Sequence, residues 1–242
     1  DLGNDGIVEL IVANGLGKEP RVHVLRQDGS EIGSFLAYAP TLGVGLNVVA
    51  CDLDGDGSRE IVTAPQRGGG PHVRVFDHLG NPIGHGTFVY NESFRGGAHL
   101  VCGDLLGDDR DELVTLPGIG GGPHVRIWNL QNDTLQLAKE FFAFEQESRE
   151  GVVGTIANAQ LILAQQKTSP SNIKTFRVDR DITLIDEQIM QTSGTGISSI
   201  VIHKKKFLLE NNFQVVSTDL EGDGTYELVR AQTRPEFDET DE

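Results

Sequence analysis

The sequence predicts an all-β protein built from four-stranded antiparallel units, and three observations carry that prediction. Acidic, glycine-rich loops nine residues long start at Asp1, Asp52 and Asp104, a repeat of about 50 residues, with a further copy at Asp219. Each loop is followed by the same succession of short apolar runs and turns. Thirty glycines, one Met and one Trp, with Val, Ile and Leu gathered in short runs, favour strands and turns over helices.

Taken in order, a unit opens with its loop and continues into a short apolar strand, at residues 9–13, 60–64 and 112–116. A glycine-rich turn leads to an alternating strand, at 71–76 and 123–128, with 20–25 as a looser relative. A third strand follows at 34–38, 86–90 and 140–144, and a fourth run enters the next loop at 46–50, 98–102 and 213–217. A unit of four short strands cannot bury both faces of its sheet alone, and stacking such units side by side makes a β-propeller. The expected organisation is propeller repeats over 1–234, in units 1–51, 52–103, 104–154, 155–212 and a partial 213–234, ahead of an acidic tail at 235–242. That amounts to about four to five blades here, within a larger ring of about seven. The fourth unit keeps the strand rhythm but has lost the acidic loop, so it is expected to fold without metal. Its surplus length, near 200–212, reads as an inserted hairpin whose Lys204-Lys205-Lys206 trio faces water.

The loops carry the chemistry. Asp52, Asp54, Asp56 and Glu60 occupy positions 1, 3, 5 and 9, and the backbone carbonyl of Ser58 supplies position 7. Alternate carboxylates and a carbonyl can wrap a hard cation that takes six to eight oxygen ligands, and glycines at positions 4 and 6 permit the sharp turn. Without a cation those carboxylates repel one another. Asp219, Glu221, Asp223, Thr225 (backbone) and Glu227 repeat the pattern in full. The copy with Asp1, Asp5 and Glu9 lacks a ligand at position 3, and the copy with Asp104, Asp108 and Glu112 has Leu106 there. Asp-Gly pairs also serve as plain hairpin turns, but such turns do not call for a Glu at position 9. An EF-hand would close at position 12 between helices, which β-type flanks exclude.

These residues, with the Gly-Gly-Gly-Pro-His-Val-Arg runs that follow two of the loops, resemble the FG-GAP/VCBS repeat family, which includes the integrin α-subunit propellers. The resemblance covers the first three units and the last segment, and the fourth by strand pattern. It implies a Ca²⁺-bearing propeller outside the cell or on its surface, used for adhesion or recognition, with the ligand roles set out above at the 52 and 219 loops.

Charge agrees with cation binding. Twenty Lys and Arg against 36 Asp and Glu give a net charge of −16, which disfavours nucleic acid and anionic membranes. No run approaches the roughly 18 apolar residues of a membrane span, and the sequence begins with Asp rather than Met and contains no signal-like segment. The chain is therefore read as a mature product or an excised piece, completed by further blades or a partner chain, because the first unit lacks its innermost strand.

Other candidates are weaker. Gly68-Gly69-Gly70 and Gly120-Gly121-Gly122 are turns, since no helix follows to hold an anion. His72 and His124 fall on separate units and read as structural. Cys51 directly precedes Asp52 whereas Cys102 is one residue further from Asp104, so on their strands the two face opposite ways and a disulfide between them is disfavoured. No nucleophile or carboxylate pair stands out as catalytic. The expected function is a non-catalytic, calcium-stabilised extracellular module that binds a protein or glycan. The alternative is a carbohydrate-active propeller enzyme, glycosidase or lyase, or a lectin.

Overall fold

The computed structural model describes residues 1–166, 171–190, 199–203, 206–210, 213–218 and 227–232, with side chains described at 1–166 and 172–189. The described residues are all-β with no helix. Sheet I holds β1 (Glu9–Ala13), β2 (Arg21–Arg26) and β3 (Glu31–Leu36). Sheet II holds β4 (Leu46–Cys51), β5 (Glu60–Pro65), β6 (His72–Phe76) and β7 (Pro82–Phe88). Sheet III holds β8 (Ala98–Gly103), β9 (Glu112–Pro117), β10 (His124–Gln131) and β11 (Thr134–Phe142). Sheet IV holds β12 (Val152–Ala157), β13 (Gln160–Gln165), β14 (Ser171–Val178) and β15 (Ile182–Met190). Two further pairs follow, β16 (Ser199–His203) with β17 (Lys206–Glu210) and β18 (Phe213–Thr218) with β19 (Glu227–Gln232).

Among the described residues every pairing is between chain neighbours and antiparallel, so sheets I to IV are meanders from an inner to an outer strand. The inner strands pack in series, β4 beside β8, β8 beside β12 and β12 beside β16, while β1 stands beside β4. The result is a propeller-like stack. Its core lies between sheets, in three apolar clusters that join I to II, II to III and III to IV. β5 and β9 are buried along their whole length, as expected of strands covered on both faces.

The outer strands depart from the sequence reading. They begin right after a tight turn and end two residues short of Tyr38, Tyr90 and Phe144, which the sequence placed inside them. Phe144, without a hydroxyl, leaves its strand at the same point, so hydrogen bonding anchors the tyrosines rather than ending the strand. Tyr38 Oη donates to the carbonyl of His72 at 2.7 Å and lies 2.9 Å from that of Thr63, and Tyr90 Oη stands at 3.0 and 2.7 Å from the carbonyls of His124 and Thr115. Both aromatics therefore reach from one sheet into the next. The next sheet replies: Arg74 donates to the Ala37 carbonyl and Arg126 to that of Val89, each at 2.6 Å, with the guanidinium over the tyrosine ring. Burial pushes both phenols up, which keeps them neutral donors. Between sheets III and IV the same places hold Phe144 and Lys174, with the ammonium 5.2 Å from the ring centroid, so that joint keeps the cation over the ring without the hydroxyl.

The two cysteines are a correction. Cys51 and Cys102 form a disulfide, with Cα atoms 5.9 Å apart. Side chains that face opposite ways on two strands cannot meet within one sheet, but β4 and β8 belong to stacked sheets. Cys51 looks forward to sheet III and Cys102 looks back to sheet II, so opposite facing is what brings the sulfurs together.

In the fourth unit, β12 and β13 are joined by a two-residue turn at Asn158 and Ala159, both at positive φ (51° and 54°), where units two and three carry nine-residue loops. Where the sequence reading expected a hairpin inserted in the fourth unit, the β16–β17 pair forms a sheet of its own, with β16 packed beside β12 in the series of inner strands. Lys204 and Lys205 lie outside the described residues.

Candidate metal centre

The loops at 52 and 104 sit where an inner strand hands over to the next strand, and the loop at 1 lies beside them at the same end of the stack. Their second residue is always Leu, and Leu2, Leu53 and Leu105 are 5%, 1% and 3% exposed, which plugs each of these three loops into an inter-sheet cluster. The position-9 Glu then closes the loop from the strand. Glu9 accepts the N–H of Leu2 at 2.8 Å, Glu60 that of Leu53 at 2.8 Å, and Glu112 those of Leu105 and Leu106 at 3.0 and 3.1 Å. This repeated Leu is a signal that the sequence offered and the motif reading passed over. It also corrects one inference: a Glu at position 9 has a use in these turns whether or not a cation is held.

The first Asp caps the turn. Asp52 accepts from the N–H groups of Gly55 and Gly57 at 2.8 and 3.1 Å, Asp1 from those of Asp5 and Gly6, and Asp104 from those of Gly107, Asp108 and Asp109. Gly55 and Gly57, at φ of 78° and 90°, supply the left-handed steps that aim those amides inward. Asp56 accepts from Ser58 at 2.7 Å, as Asp5 does from Ile7 and Asp108 from Arg110.

One loop gathers its carboxylates. Oxygens of Asp52, Asp54 and Glu60 all lie within 4.8 Å of one another, and among the described residues this is the one group of three or more Asp, Glu, His or Cys side chains that converges so. The carboxyl of Glu60 is pushed up to about 7, first by burial and then by the charges of Asp54, Asp52 and Asp56, against the pull of the Leu53 amide. An all-oxygen donor set that raises its own proton affinity by crowding fits a hard divalent cation. The triad could hold such an ion; Asp56 contributes charge from the next turn.

The other loops differ. Asp1, Asp5 and Glu9 are engaged with their own backbone and do not form a comparable group. In the third loop Leu106 replaces the position-3 ligand and packs against the cluster between sheets III and IV, while Asp104, Asp108 and Glu112 stay with backbone amides. Burial pushes Glu112 up to about 7 as well. Asp219, Glu221, Asp223 and Thr225 lie outside the described residues, and Glu227 is described only as the first residue of β19.

Neighbouring loops interlock. Arg59 donates its N–H to the Leu2 carbonyl at 2.8 Å, and Asp111 donates its N–H to the Asp52 carbonyl at 2.8 Å. Asp111 Oδ2 accepts the Asp52 N–H at 2.9 Å and pairs with Arg59 at 3.2 Å. The histidines of the repeated Pro-His-Val-Arg runs lie at the opposite end, with His72 packed on Phe88 and His124 on Phe142, and with His124 3.1 Å from Glu140.

No protein-family profile matches the chain, and no curated protein matches it. Solved structures do resemble it in shape. A protein from Lactobacillus plantarum is 17% identical, with 95% of this chain and 69% of that one covered and a TM-score of 0.53. A rhamnogalacturonan lyase from Bacillus licheniformis is 12% identical over 86% of this chain and 47% of its own, with a TM-score of 0.44. The biofilm matrix protein Bap1 of V. cholerae is 19% identical over 82% of this chain and 39% of its own, at 0.40. The chain spans about half the length of the rhamnogalacturonan lyases it matches (46% to 47%). At these identities the likeness is one of fold. No helix among the described residues is long and apolar enough to cross a membrane.

Proposed function

We propose that the chain is part of a calcium-stabilised β-propeller of the FG-GAP/VCBS kind, acting outside the cell as a non-catalytic module that binds a protein or glycan. The observation that carries the reading is the convergence of Asp52, Asp54 and Glu60 in a loop whose shape is already set by Leu53, Gly55 and Gly57. Calcium, when bound, supplies the positive charge that lets three crowded carboxylates stay ionised. The disulfide is compatible with an oxidising, extracellular setting. Binding to the native state alone raises stability by about 2.7 kcal/mol per site at a hundredfold excess over Kd. Melting should therefore rise with millimolar calcium and fall with a chelator, and an unchanged melting temperature would defeat the reading.

A second reading is a carbohydrate-active propeller. The structural comparisons lean towards it through the names of the rhamnogalacturonan lyases, which share this shape over about half their length. A lyase leaves a double bond in its product, so ultraviolet absorbance during incubation with acidic pectic polysaccharide distinguishes the two. A calcium-dependent rise would favour the enzyme; binding without turnover favours the module.

A further inference from the structure

We infer that the Cys51–Cys102 disulfide braces the cation loop at residues 52–60, so that reducing the bond weakens cation binding there and a bound cation protects the bond. The inference rests on the proposed reading of that loop as a calcium site. Cys51 is the residue before Asp52, the first ligand, and is fully buried, while its partner stands on β8 in the next sheet. Sheet III also grips Asp52 through both of its peptide groups, since Asp111 accepts its N–H at 2.9 Å and donates to its carbonyl at 2.8 Å. The side chain of Arg110 packs so close over Gly55 that a methyl there would fall 2.9 Å from its Cγ. With the Arg59–Asp111 pair, one covalent tie and four non-covalent contacts thus hold loop 52–60 to its neighbour at the point where the ligands must converge. With the bond open, the end of β4 is free to move against β8, and cation binding must then supply the ordering that the disulfide had already supplied.

The chemistry is reversible and needs a dithiol reductant. Cys102 is only partly buried, so an incoming thiolate attacks its sulfur, the Cys51 sulfur leaves as thiolate and takes up a proton, and a mixed disulfide forms at Cys102. The second thiol of the reductant then displaces Cys102, which is also protonated, and the reductant closes to its own disulfide. Two electrons and two protons pass to the protein.

The test uses the full chain with free calcium as the probe. Calorimetric titration of oxidised and dithiothreitol-reduced protein should show one site weakened about tenfold by reduction, within the usual span of coupled sites. Linkage requires the converse. In a dithiothreitol redox buffer, thiol alkylation and mass measurement should show calcium moving the equilibrium about tenfold towards the disulfide, about 30 mV for a two-electron couple. In Asp54→Ala that calcium effect should vanish, which separates loop 52–60 from any other calcium site and from the general stability of the fold. Should the reduced chain unfold, Asp111→Ala loosens the same junction with the disulfide intact and must itself weaken calcium binding. Equal affinity in oxidised and reduced protein, or wild-type affinity in Asp111→Ala, overturns the brace. Absence of calcium from the oxidised loop defeats the functional reading instead.

Discussion

Loops 52–60 and 104–112 are built on one backbone plan and differ at one decisive side chain. Both bury a Leu at position 2, close with a Glu at position 9 and cap the turn with Asp at position 1. At position 3 the first has Asp54, which joins a carboxylate triad, and the second has Leu106, which packs on the core between sheets III and IV. The difference teaches that the turn and the carboxylate cluster are separable: hydrogen bonds to Leu, Asp and Glu make the turn, and the residue at position 3 decides whether three carboxylates converge. Loop 104–112 makes an apolar contact where loop 52–60 presents a carboxylate.

The largest effect that tests this separation comes from the closing Glu. Glu112→Ala strands two amides, Leu105 being 3% exposed, and should cost about 3–4 kcal/mol by urea unfolding, equally with and without calcium. Glu60→Ala strands one amide, so it should cost less in chelator, about 1–3 kcal/mol, and also erase the calcium increment. A calcium-sensitive cost for Glu112→Ala would merge the two loops again.

Glu112 also gives a pH signature. Burial pushes its folded carboxyl up to about 7 from an ordinary 4.5, so the folded state holds a proton that the unfolded state releases between those values. Its contribution is present in full below about pH 4.5 and is lost as pH rises through 7, at most about 3 kcal/mol. Comparing unfolding of wild type and Glu112→Gln from pH 4.5 to 8 should show a flatter profile in the variant, and addition of calcium should leave that difference in place. Parallel profiles would mean that the two backbone amides, not burial, govern the group.

Calcium itself comes next, at about 2.7 kcal/mol at a hundredfold excess over Kd. Asp54→Ala should abolish the calcium-dependent gain in melting temperature at this site, and Asp108→Ala should leave it intact. The smallest effect sharpens the comparison: Leu106→Asp restores position 3 at the cost of an apolar contact, so it should lose about 1–2 kcal/mol in chelator and recover part of that in calcium. An extra equivalent of bound calcium by calorimetry is the outcome to look for.

The sheets were legible because their strands alternate and their loops repeat, and β4, β5, β8 and β9 fall within a residue or so of their expected places. What escaped lies between sheets. Tyr38 and Tyr90 read as strand residues because nothing local says that a hydroxyl will find carbonyls 25 and 34 positions away in the next sheet. Cys51 and Cys102 looked mismatched because alternation describes one sheet, whereas their bond crosses two. The acidic cluster of loop 52–60 was readable from spacing, but the use of Glu60 as acceptor for Leu53, beside its place in the Asp52–Asp54–Glu60 group, required the fold. Stacked repeats place the least readable interactions at their joints, and there the Tyr–Arg pairs of the first joints give way to Phe144 and Lys174.

The central claim is that position 3 decides which loop holds the ion. A crystal of the oxidised chain grown in calcium and soaked with a lanthanide tests it most directly, through the anomalous signal. The account predicts a peak among the carboxylates of Asp52, Asp54 and Glu60 and none at Asp104, Asp108 and Glu112. Equal peaks at both loops, or none at the first, would contradict it.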